Sequence, residues 1–238
     1  FNYNFTHYTP IPSYSKSVVT FNGMADPAAI WDSAKYNPKE IDRWFKIIAK
    51  SAAKIIVVSA MVKDDLLKRV SVPEEKIRII YYGVDERFTR IPDPVRMDSA
   101  LSELGLKGMR YILYVGAAEK NKNLSGLIEA FRMIMNKPGL EDIRLVLGGS
   151  IDENFQRLIA VVKELGIDKR VIFPGYLSHE SLPFLYGGAE LFVLPTFIEW
   201  FGIPVLEAMA SAVPVAVSKN TWALEVVGGA AITFDPFD

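Results

Sequence analysis

Residues 110–136 decide the fold class, and they read RYILYVGAAEKNKNLSGLIEAFRMIMN. The segment 110–115 predicts a strand, the loop 116–123 follows it, and 124–136 predicts a helix. The same alternation continues to the end of the chain. It predicts strands at 143–147, 170–173, 190–194, 214–217 and 230–233, and helices at 153–165, 179–187, 203–211 and 221–227. Strands and helices that alternate through short loops indicate a parallel α/β sheet covered on both faces, a doubly wound, Rossmann-like domain.

The N-terminal part of the chain has a similar but shorter pattern. We predict strands at 17–21, 54–58 and 76–81, and helices at 38–51 and from Ser59, as N-cap, to Arg69. The stretch Ile91–Pro94 holds two prolines in four residues and is the predicted linker. We therefore expect a partial N-terminal domain over residues 1–94 and a nearly complete C-terminal domain over residues 95–238.

Composition excludes several classes of function. The 238 residues carry a formal net charge of −1, which argues against nucleic-acid binding through bulk charge. The chain has no cysteine and only two histidines, which excludes disulfides, zinc ribbons and thiol nucleophiles. It has neither an 18-residue apolar run nor the features of a signal peptide, so we expect a cytoplasmic protein. Both termini begin or end abruptly, and we expect the chain to be a fragment.

The first loop at the carboxyl edge of the predicted sheet has features of a phosphate site. Gly116 at the strand end permits close approach of a ligand, and Lys122 stands just before a helix N-terminus. Neither a P-loop nor a dinucleotide fingerprint is present, so a solvated charged loop is the alternative. The later pair Gly148-Gly149 has two interpretations of its own: the glycines permit close approach of a ligand, or they form a tight turn into the helix.

The segment 194–210 is the most informative, since its residues Glu199 and Glu207 bracket the start of a predicted helix. The backbone N–H groups near Gly202 and Ile203 would face an anion or a polar ligand. Carboxylates can accept hydrogen bonds from sugar hydroxyls, and the apolar neighbours of Glu207 make an unpaired buried acid there costly. The alternative is a helix-start acid and a surface glutamate without function.

The frame E-x-F-G-x-P-x-L-E-A-M-A over residues 199–210 resembles the hallmark of retaining GT-B glycosyltransferases of family four. Further segments agree with that family in the same order, namely 57–59, 73–85, 114–116, 122–124, 173–177, 182–186, 213–216 and 225–226. The resemblance implies two Rossmann-like domains and transfer of a sugar from a nucleoside diphosphate to an acceptor hydroxyl, with retention of anomeric configuration. It implies a nucleotide sugar as donor substrate, no separate cofactor and no metal.

The resemblance also implies roles for particular residues. Glu207 would bind the ribose hydroxyls of the donor, and Glu199 would contact the donor sugar. Backbone amides near Phe201 and Gly202 would assist Glu199. Lys122 would neutralise the diphosphate, and growing charge on the leaving diphosphate would be stabilised there and at the helix N-terminus.

The base of the donor would be bordered by Tyr176 and Leu177. An acceptor would be a glycan or a lipid-linked glycan of polysaccharide or glycoconjugate biosynthesis. No nucleic-acid partner is implied.

The chain departs from the family pattern at several positions. The family commonly has Thr-x-His-Asp at the end of its N-terminal strand, and the histidine lies by the reacting sugar. This chain reads Thr20-Phe21-Asn22-Gly23, so the resemblance implies Asn22 as the catalytic-site residue there, which can hydrogen-bond a sugar hydroxyl but cannot carry a proton. Ala117 and Asn121 stand where the family carries an arginine. Trp200 replaces a glycine and would reshape the sugar pocket. His7 corresponds to an earlier histidine of the family, before a proline-rich turn.

Basic residues follow one face of the helix 38–51 and its exit, namely Arg43, Lys46, Lys50 and Lys54. Such a face contacts anionic lipid in some proteins and is merely solvated in others. A membrane-peripheral protein is therefore the alternative to a freely cytoplasmic one.

Three functions remain in view. The leading one is a retaining glycosyltransferase, of which this chain alone would transfer no sugar because the acceptor-side portion is incomplete. The second is a non-catalytic or degenerate nucleotide-sugar-binding module that needs a partner chain, favoured by Asn22, Ala117 and Asn121. The third is a GT-B sugar-nucleotide epimerase, which shares the fold but lacks the Glu-x7-Glu frame.

Overall fold

The computed structural model describes residues 17–23, 38–88, 93–219 and 223–238. Contacts divide the chain into two compact units. The first contains residues up to Tyr82 together with the tripeptide Glu199–Phe201, and the second contains Gly83–Ile198 and Gly202–Asp238. The domain boundary predicted between residues 94 and 95 stays a prediction. His7 and the first two residues of the predicted linker lie outside the described residues.

The first unit contains a three-stranded parallel sheet in the order β1-β2-β3. Its strands are β1 (Val18–Phe21), β2 (Lys54–Val57) and β3 (Ile77–Ile79), and its helices are α1 (Pro38–Ser51) and α2 (Ala60–Arg69). In register, Val19 pairs with Ile55 and Ile55 with Ile77, and all three are buried. Alternate residues of β1 and β2 are buried, as expected where one face of a strand packs on a core.

The cap predicted at Ser59 is confirmed. Its Oγ atom accepts a hydrogen bond from the Val62 N–H at 3.2 Å and satisfies one of the free donors at the start of α2. Ser59 is fully buried, and its hydroxyl proton is donated to the carbonyl oxygen of Trp200 at 3.3 Å. One serine side chain thus caps the start of α2 and hydrogen-bonds to the tripeptide Glu199–Phe201 of the first unit.

The second unit contains a six-stranded parallel sheet, and its strands run in the order β6-β5-β4-β7-β8-β9. The strands are β4 (Tyr111–Val115), β5 (Arg144–Gly148), β6 (Val171–Ile172), β7 (Leu191–Leu194), β8 (Val215–Ser218) and β9 (Ile232–Phe234). The helices are α3 (Pro94–Glu103), α4 (Leu124–Ile134), α5 (Glu153–Glu164), α6 (Leu182–Gly187), α7 (Ile203–Ala210) and α8 (Ala223–Val227). Within this unit the order is 3-2-1-4-5-6, that of the Rossmann fold, which confirms the predicted fold class.

The strand order reverses between β4 and β7, which pair directly through Ile112 with Leu191 and Leu113 with Phe192. Connections on the two sides of such a reversal leave a crevice beyond the carboxyl ends of the strands. The central strands below it are apolar and fully buried at Leu113, Val146 and Phe192. The loops after β4 and β7 are therefore carried on a rigid base.

Helix α3 was not predicted, because residues 91–94 were interpreted as a linker from their two prolines. Pro94 instead occupies the first turn of α3, where its missing N–H costs nothing. Asp93 is the N-cap, and its carboxylate accepts from the Val95 N–H at 2.9 Å and the Arg96 N–H at 3.1 Å. The pair Asp-Pro was thus a helix-start signal.

Several predicted boundaries were too long. The helix predicted at 179–187 begins only at Leu182, because the Ser178 hydroxyl accepts from the Ser181 N–H and forms a separate turn. The strand predicted at 76–81 is reduced to Ile77–Ile79, preceded by a 3-10 turn at Glu74–Lys76. The strand at 170–173 keeps only Val171–Ile172, and the strand predicted at 230–233 is shifted to Ile232–Phe234.

We expect Asp93→Ala to lower the free energy of unfolding by about 1 kcal/mol, because two N–H groups at the start of α3 lose their acceptor. Chemical denaturation followed by circular dichroism measures the change. Asp93→Ser retains a capping oxygen and should recover most of the loss. Equal destabilisation by alanine and serine would contradict the capping role.

Candidate functional site

The loop after β4 begins at Gly116, whose backbone has φ of 154°. The Gly116 N–H donates to the Gly148 carbonyl at 3.0 Å, so the ends of β4 and β5 remain joined. The Tyr114 hydroxyl donates to the Ala117 carbonyl at 2.8 Å and would lie 2.7 Å from a Cβ atom at position 116. Glycine is required at Gly116 by both its conformation and its surroundings.

The two glycines at the end of β5 are explained by packing against neighbouring loops. A Cβ atom on Gly149 would collide with the Gly116 carbonyl oxygen, and the Gly149 N–H donates to the Gly175 carbonyl at 3.2 Å. A Cβ atom on Gly148 would lie 2.5 Å from the Leu177 side chain. The three loops that follow β4, β5 and β6 therefore meet at one edge of the sheet.

The two residues predicted to border a base differ in exposure. Leu177 is 9% exposed and packs over Gly148, whereas Tyr176 is 74% exposed beside Gly175, which has φ of 80°. Leu177 therefore supports the edge of the sheet from within. Tyr176 offers an open aromatic ring at the same edge.

The loop that carries Lys122 is fastened to the loop after β7. Residues Lys120–Lys122 form a 3-10 turn, and the carbonyl of Asn121 accepts from the Phe197 N–H at 2.8 Å. The Asn121 side chain is 4% exposed, and its Nδ2 atom donates to the Ile198 carbonyl at 3.4 Å. At a position where the resemblance calls for an arginine, this chain thus has an amide that joins the two loops on either side of the strand reversal. Sequence reasoning missed this role, since it considered Asn121 only as a lost charge.

Helix α7 starts beyond the end of β7 with Gly202 as N-cap in the left-handed region, at φ of 68°. No side chain caps this helix, and Pro204 lies in its first turn. Ile203 is 40% exposed at the helix start. Pro204 has no N–H, and the Val205 N–H donates to the Gly202 carbonyl at 2.8 Å, so the Ile203 N–H and the positive end of the helix dipole are what this helix start offers an anion.

Glu207 is half-buried in the second turn of α7. The Tyr186 hydroxyl donates to its Oε2 atom at 2.8 Å. Tyr186 is itself fully buried on α6, with its ring 5.7 Å from that of Phe88 and 5.6 Å from that of Phe192. The carboxylate of Glu207 is therefore held by a rigid donor and keeps Oε1 for another partner.

Burial controls the protonation of this pair. Desolvation raises the pKa of Glu207 above its ordinary value of 4.5, and this is opposed by the Tyr186 hydrogen bond and by the charge of His179. Burial, and secondarily the Glu207 charge, raises the pKa of Tyr186 well above its ordinary value. Tyr186 therefore remains a hydrogen-bond donor throughout the physiological range.

An ion pair supports the turn next to Glu207. Arg87 donates from Nε and Nη2 to the two oxygens of Asp85, at 3.0 and 2.9 Å, and its Nη1 donates to the His179 carbonyl at 3.4 Å. The hydrogen bonds from Arg87 lower the pKa of Asp85 to about 2. Tyr186 lies in the segment 182–186, which resembles the base-binding segment of the family, but its hydrogen bond to Glu207 was not predicted. The contact of Arg87 with His179 was not predicted either, because both contacts join segments that are distant in sequence.

The other predicted residues belong to the first unit. Asn22 follows β1, and its Oδ1 atom accepts from the Tyr82 hydroxyl at 2.6 Å. Glu199 Oε1 accepts from the Trp200 N–H at 3.2 Å. Phe201 is 4% exposed, with its ring 5.0 Å from that of Tyr82. Asn22 and Phe201 are thus brought together through Tyr82.

The remaining predicted site residues lie in the second unit, on loops that follow parallel strands or at the start of the helix after β7: Gly116, Lys122, Tyr176, Leu177, Gly202, Ile203 and Glu207. Such loops share the carboxyl edge of the sheet.

In the described ranges, no three His, Cys, Asp or Glu residues are grouped so that they could hold a metal ion. No helix among those same residues is long and apolar enough to cross a membrane.

A Rossmann sheet with polar groups gathered at its strand reversal defines the class of α/β domains that bind ligands, often nucleotides, at this edge. The sequence profile described as Glycosyl transferases group 1 matches residues 101–236, and that described as Glycosyltransferase Family 4 matches residues 11–88. The chain belongs to the group 1 glycosyltransferase family.

Individual relatives agree with this assignment. The chain is 30% identical to O-antigen chain mannosyltransferase B of Escherichia coli over 228 residues, covering 94% of this chain and 58% of that protein. It is 31% identical to mannosylfructose-phosphate synthase of Agrobacterium fabrum over 212 residues, covering 86% of this chain and 46% of that protein. The chain thus spans about half the length of these relatives.

Solved structures show the same fold. Sucrose-phosphate synthase from Thermosynechococcus elongatus aligns with a TM-score of 0.78 and 24% identity, over 94% of this chain and 55% of that one. Anabaena HepE in complex with UDP-glucose aligns with a TM-score of 0.75 and 20% identity, over 92% of this chain and 58% of that one. The predicted GT-B-like, α/β fold class is confirmed.

We expect Glu207→Gln to raise the free energy of unfolding at pH 7. The folded protein holds the pKa of Glu207 above 4.5, so the ionised carboxylate opposes folding above that pH, and the neutral amide does not. Below the unfolded-state pKa both proteins carry an uncharged group, and the difference in stability should disappear. Denaturant titrations of the two proteins at pH 7 and near pH 4 measure it.

The matched control is Glu164→Gln, since Glu164 is an exposed acid at the end of α5. The difference in free energy of unfolding between this control and the wild type should change little between the two pH values. A Glu207→Gln protein that is less stable than wild type at pH 7 would contradict the unfavourable burial of this carboxylate.

Proposed function

We propose that the second unit binds the nucleoside diphosphate of a sugar donor and that the protein is a retaining glycosyltransferase. The observation that carries this proposal is the Tyr186–Glu207 hydrogen bond, which orients a half-buried carboxylate one turn beyond an uncapped helix start. A buried acid costs free energy unless it has partners. Ribose hydroxyls, which donate hydrogen bonds, are suitable partners for its Oε1 atom.

The diphosphate is assigned to the N-terminus of α7 and to Lys122. Backbone N–H groups at Ile203 and the positive end of the helix dipole favour an anion, and the lysine adds a full charge. Negative charge grows on the leaving diphosphate as the bond to the sugar breaks, so donors in place beforehand accelerate the step. The hydrogen bonds from Phe197 and Asn121 position the Lys122 loop for this role.

The sugar is assigned to Asn22 and Glu199, as the resemblance implies. Glu199 accepts hydrogen bonds from hydroxyl groups, and the amide of Asn22 donates one without exchanging a proton. The base is assigned to the edge formed by Tyr176 and Leu177. The donor is a hexose linked to GDP or UDP, a choice supported by the mannosyltransferase relative and by the UDP-glucose complex of HepE.

The acceptor is a glycan or a lipid-linked glycan, and the basic face of α1 is proposed to contact anionic lipid. Arg43, Lys46, Lys50 and Lys54 are all exposed. We expect the protein to co-sediment with vesicles of anionic phospholipid and to be released at high salt, because screening weakens such contacts. Binding that is unchanged in 0.5 M salt, or equal on neutral vesicles, would contradict a charge-based contact.

A non-catalytic nucleotide-sugar module is the second candidate, favoured by Asn22, Ala117 and Asn121. Both candidates require nucleotide binding, but only an enzyme moves the sugar. Because this chain alone is expected to transfer no sugar, the reaction with a radiolabelled donor is run with the acceptor-side portion supplied: tight binding without a labelled product then supports the module, and a labelled glycan supports the enzyme.

We expect Glu207→Ala to weaken binding of GDP or UDP at least tenfold, measured by isothermal titration calorimetry. The reason is that the carboxylate loses its hydrogen bonds to the ribose, and hydrogen bonds to a charged group contribute about 1.5–3 kcal/mol. Glu164→Ala, which removes an exposed acid at the far end of α5, is the control and should bind as wild type does.

Two results would overturn the assignment of the ribose to Glu207. One is an unchanged affinity in the Glu207→Ala protein with a normal unfolding transition. The other is an equal loss of affinity in the Glu164→Ala control, which would indicate an indirect effect of charge.

A further inference from the structure

Tyr82 determines which hydrogen-bonding groups Asn22 presents. Its hydroxyl donates to Asn22 Oδ1 at 2.6 Å, and the carboxamide therefore turns its acceptor toward the tyrosine. The Nδ2 group carries only donors, and it is directed away from Tyr82 because the two ends of an amide point apart. Tyr82 is packed edge-on against Phe201, with ring centroids 5.0 Å apart, so its hydroxyl is held in place.

Trp200 determines the space beside Asn22. A Cβ atom on Gly23 would lie 2.6 Å from the indole Cγ and Cδ2 atoms, so the indole ring covers the Gly23 backbone. The Ser59 hydroxyl donates to the Trp200 carbonyl at 3.3 Å and thereby holds the backbone that carries the indole. Any side chain at Gly23 would have to displace this ring.

Gly23 and Trp200 are thus a complementary pair. The resemblance places an acid where this chain has Gly23 and a glycine where it has Trp200. The structure shows that these two departures occupy the same space, because the indole ring fills the volume that a side chain at position 23 would need. The exclusion runs in one direction: Trp200 leaves no room for the acid at position 23, whereas glycine at position 23 is sterically compatible with either residue at position 200.

We propose that Tyr82 is a positioning residue that turns Asn22 into a donor-only group, and that the Gly23–Trp200 pair sets which pyranose ring fits beside it. The ligand class is a neutral hexopyranose that offers an acceptor oxygen to Asn22 Nδ2 and an apolar C–H face to the indole. The inference rests on the proposed function, which assigns Asn22 to the sugar of the donor. It adds a role for Tyr82 and for Gly23, and it gives Trp200, which the resemblance expects to reshape the sugar pocket, a steric partner in Gly23.

The experiment measures how much the sugar adds to binding. Calorimetry gives the affinity of the protein for GDP and GDP-mannose, and for UDP and UDP-glucose, and the ratio within each pair is the contribution of the sugar. We expect Tyr82→Phe to reduce that ratio about fivefold, the effect of one misplaced neutral hydrogen bond, and to leave the affinity for the free diphosphate unchanged. Tyr81→Phe, which alters the adjacent tyrosine, is the matched control and should keep the wild-type ratio.

A double-mutant cycle separates positioning from a general structural effect. In an Asn22→Ala background, Tyr82→Phe should cause no further loss, because the amide that it orients is gone. A full loss in that background would overturn the positioning role. So would a Tyr82→Phe protein with the wild-type ratio, or a wild-type protein that binds the nucleotide sugars no more tightly than the free diphosphates.

The steric pair is tested independently. Gly23→Ala should lower the contribution of the sugar to binding or destabilise the first unit. When Gly23→Ala is combined with Trp200→Gly, the unfolding midpoint should be restored, because the added methyl group then has room. No rescue by the double substitution would overturn the complementary pair. Failure of the proposed function has a different signature, since no nucleotide would then bind to any of these proteins.

Discussion

The pairing of β4 with β7 is the constraint on which the site of the second unit depends. These strands are neighbours in the sheet although two other strands, β5 and β6, separate them in sequence. Because the connections after β4 and β7 diverge, their loops leave a crevice at the carboxyl edge. The hydrogen bond from the Phe197 N–H to the Asn121 carbonyl then fixes the two loops against each other, at the point where a ligand would be held.

The glycines at this edge are explained by close packing of the loops, and not by the approach of a ligand alone. Gly149 lets its backbone lie against the Gly116 carbonyl oxygen and donate to the Gly175 carbonyl, and Gly116 leaves room for the Tyr114 hydroxyl. The close approach is needed before any ligand arrives, since it brings the loops of neighbouring strands to one level. Both interpretations considered for Gly148-Gly149 were incomplete, because the constraint is mutual packing of loops.

Glu207 shows how stability and binding oppose each other at this edge. Its half-buried carboxylate is unfavourable for folding, as its raised pKa indicates, although the Tyr186 hydrogen bond and the charge of His179 partly compensate for burial. Tyr186 can do so because it is anchored between aromatic rings and keeps its proton. The arrangement is preorganised for a donor group on a ligand, in the sense that the acceptor is already oriented.

The amino-acid pattern alone was sufficient for the fold class, for the Ser59 cap and for the loops in which the polar groups lie. These features depend on local periodicity, capping chemistry and the rule that parallel strands share a carboxyl edge, all of which short segments encode. The amino-acid pattern did not predict the contacts of Tyr186, Tyr82 and Arg87. It also did not predict the steric match of Gly23 with Trp200. Tyr186 acts on a partner 21 positions away, Tyr82 on one 60 positions away and Arg87 on one 92 positions away, and only folding brings such partners into contact.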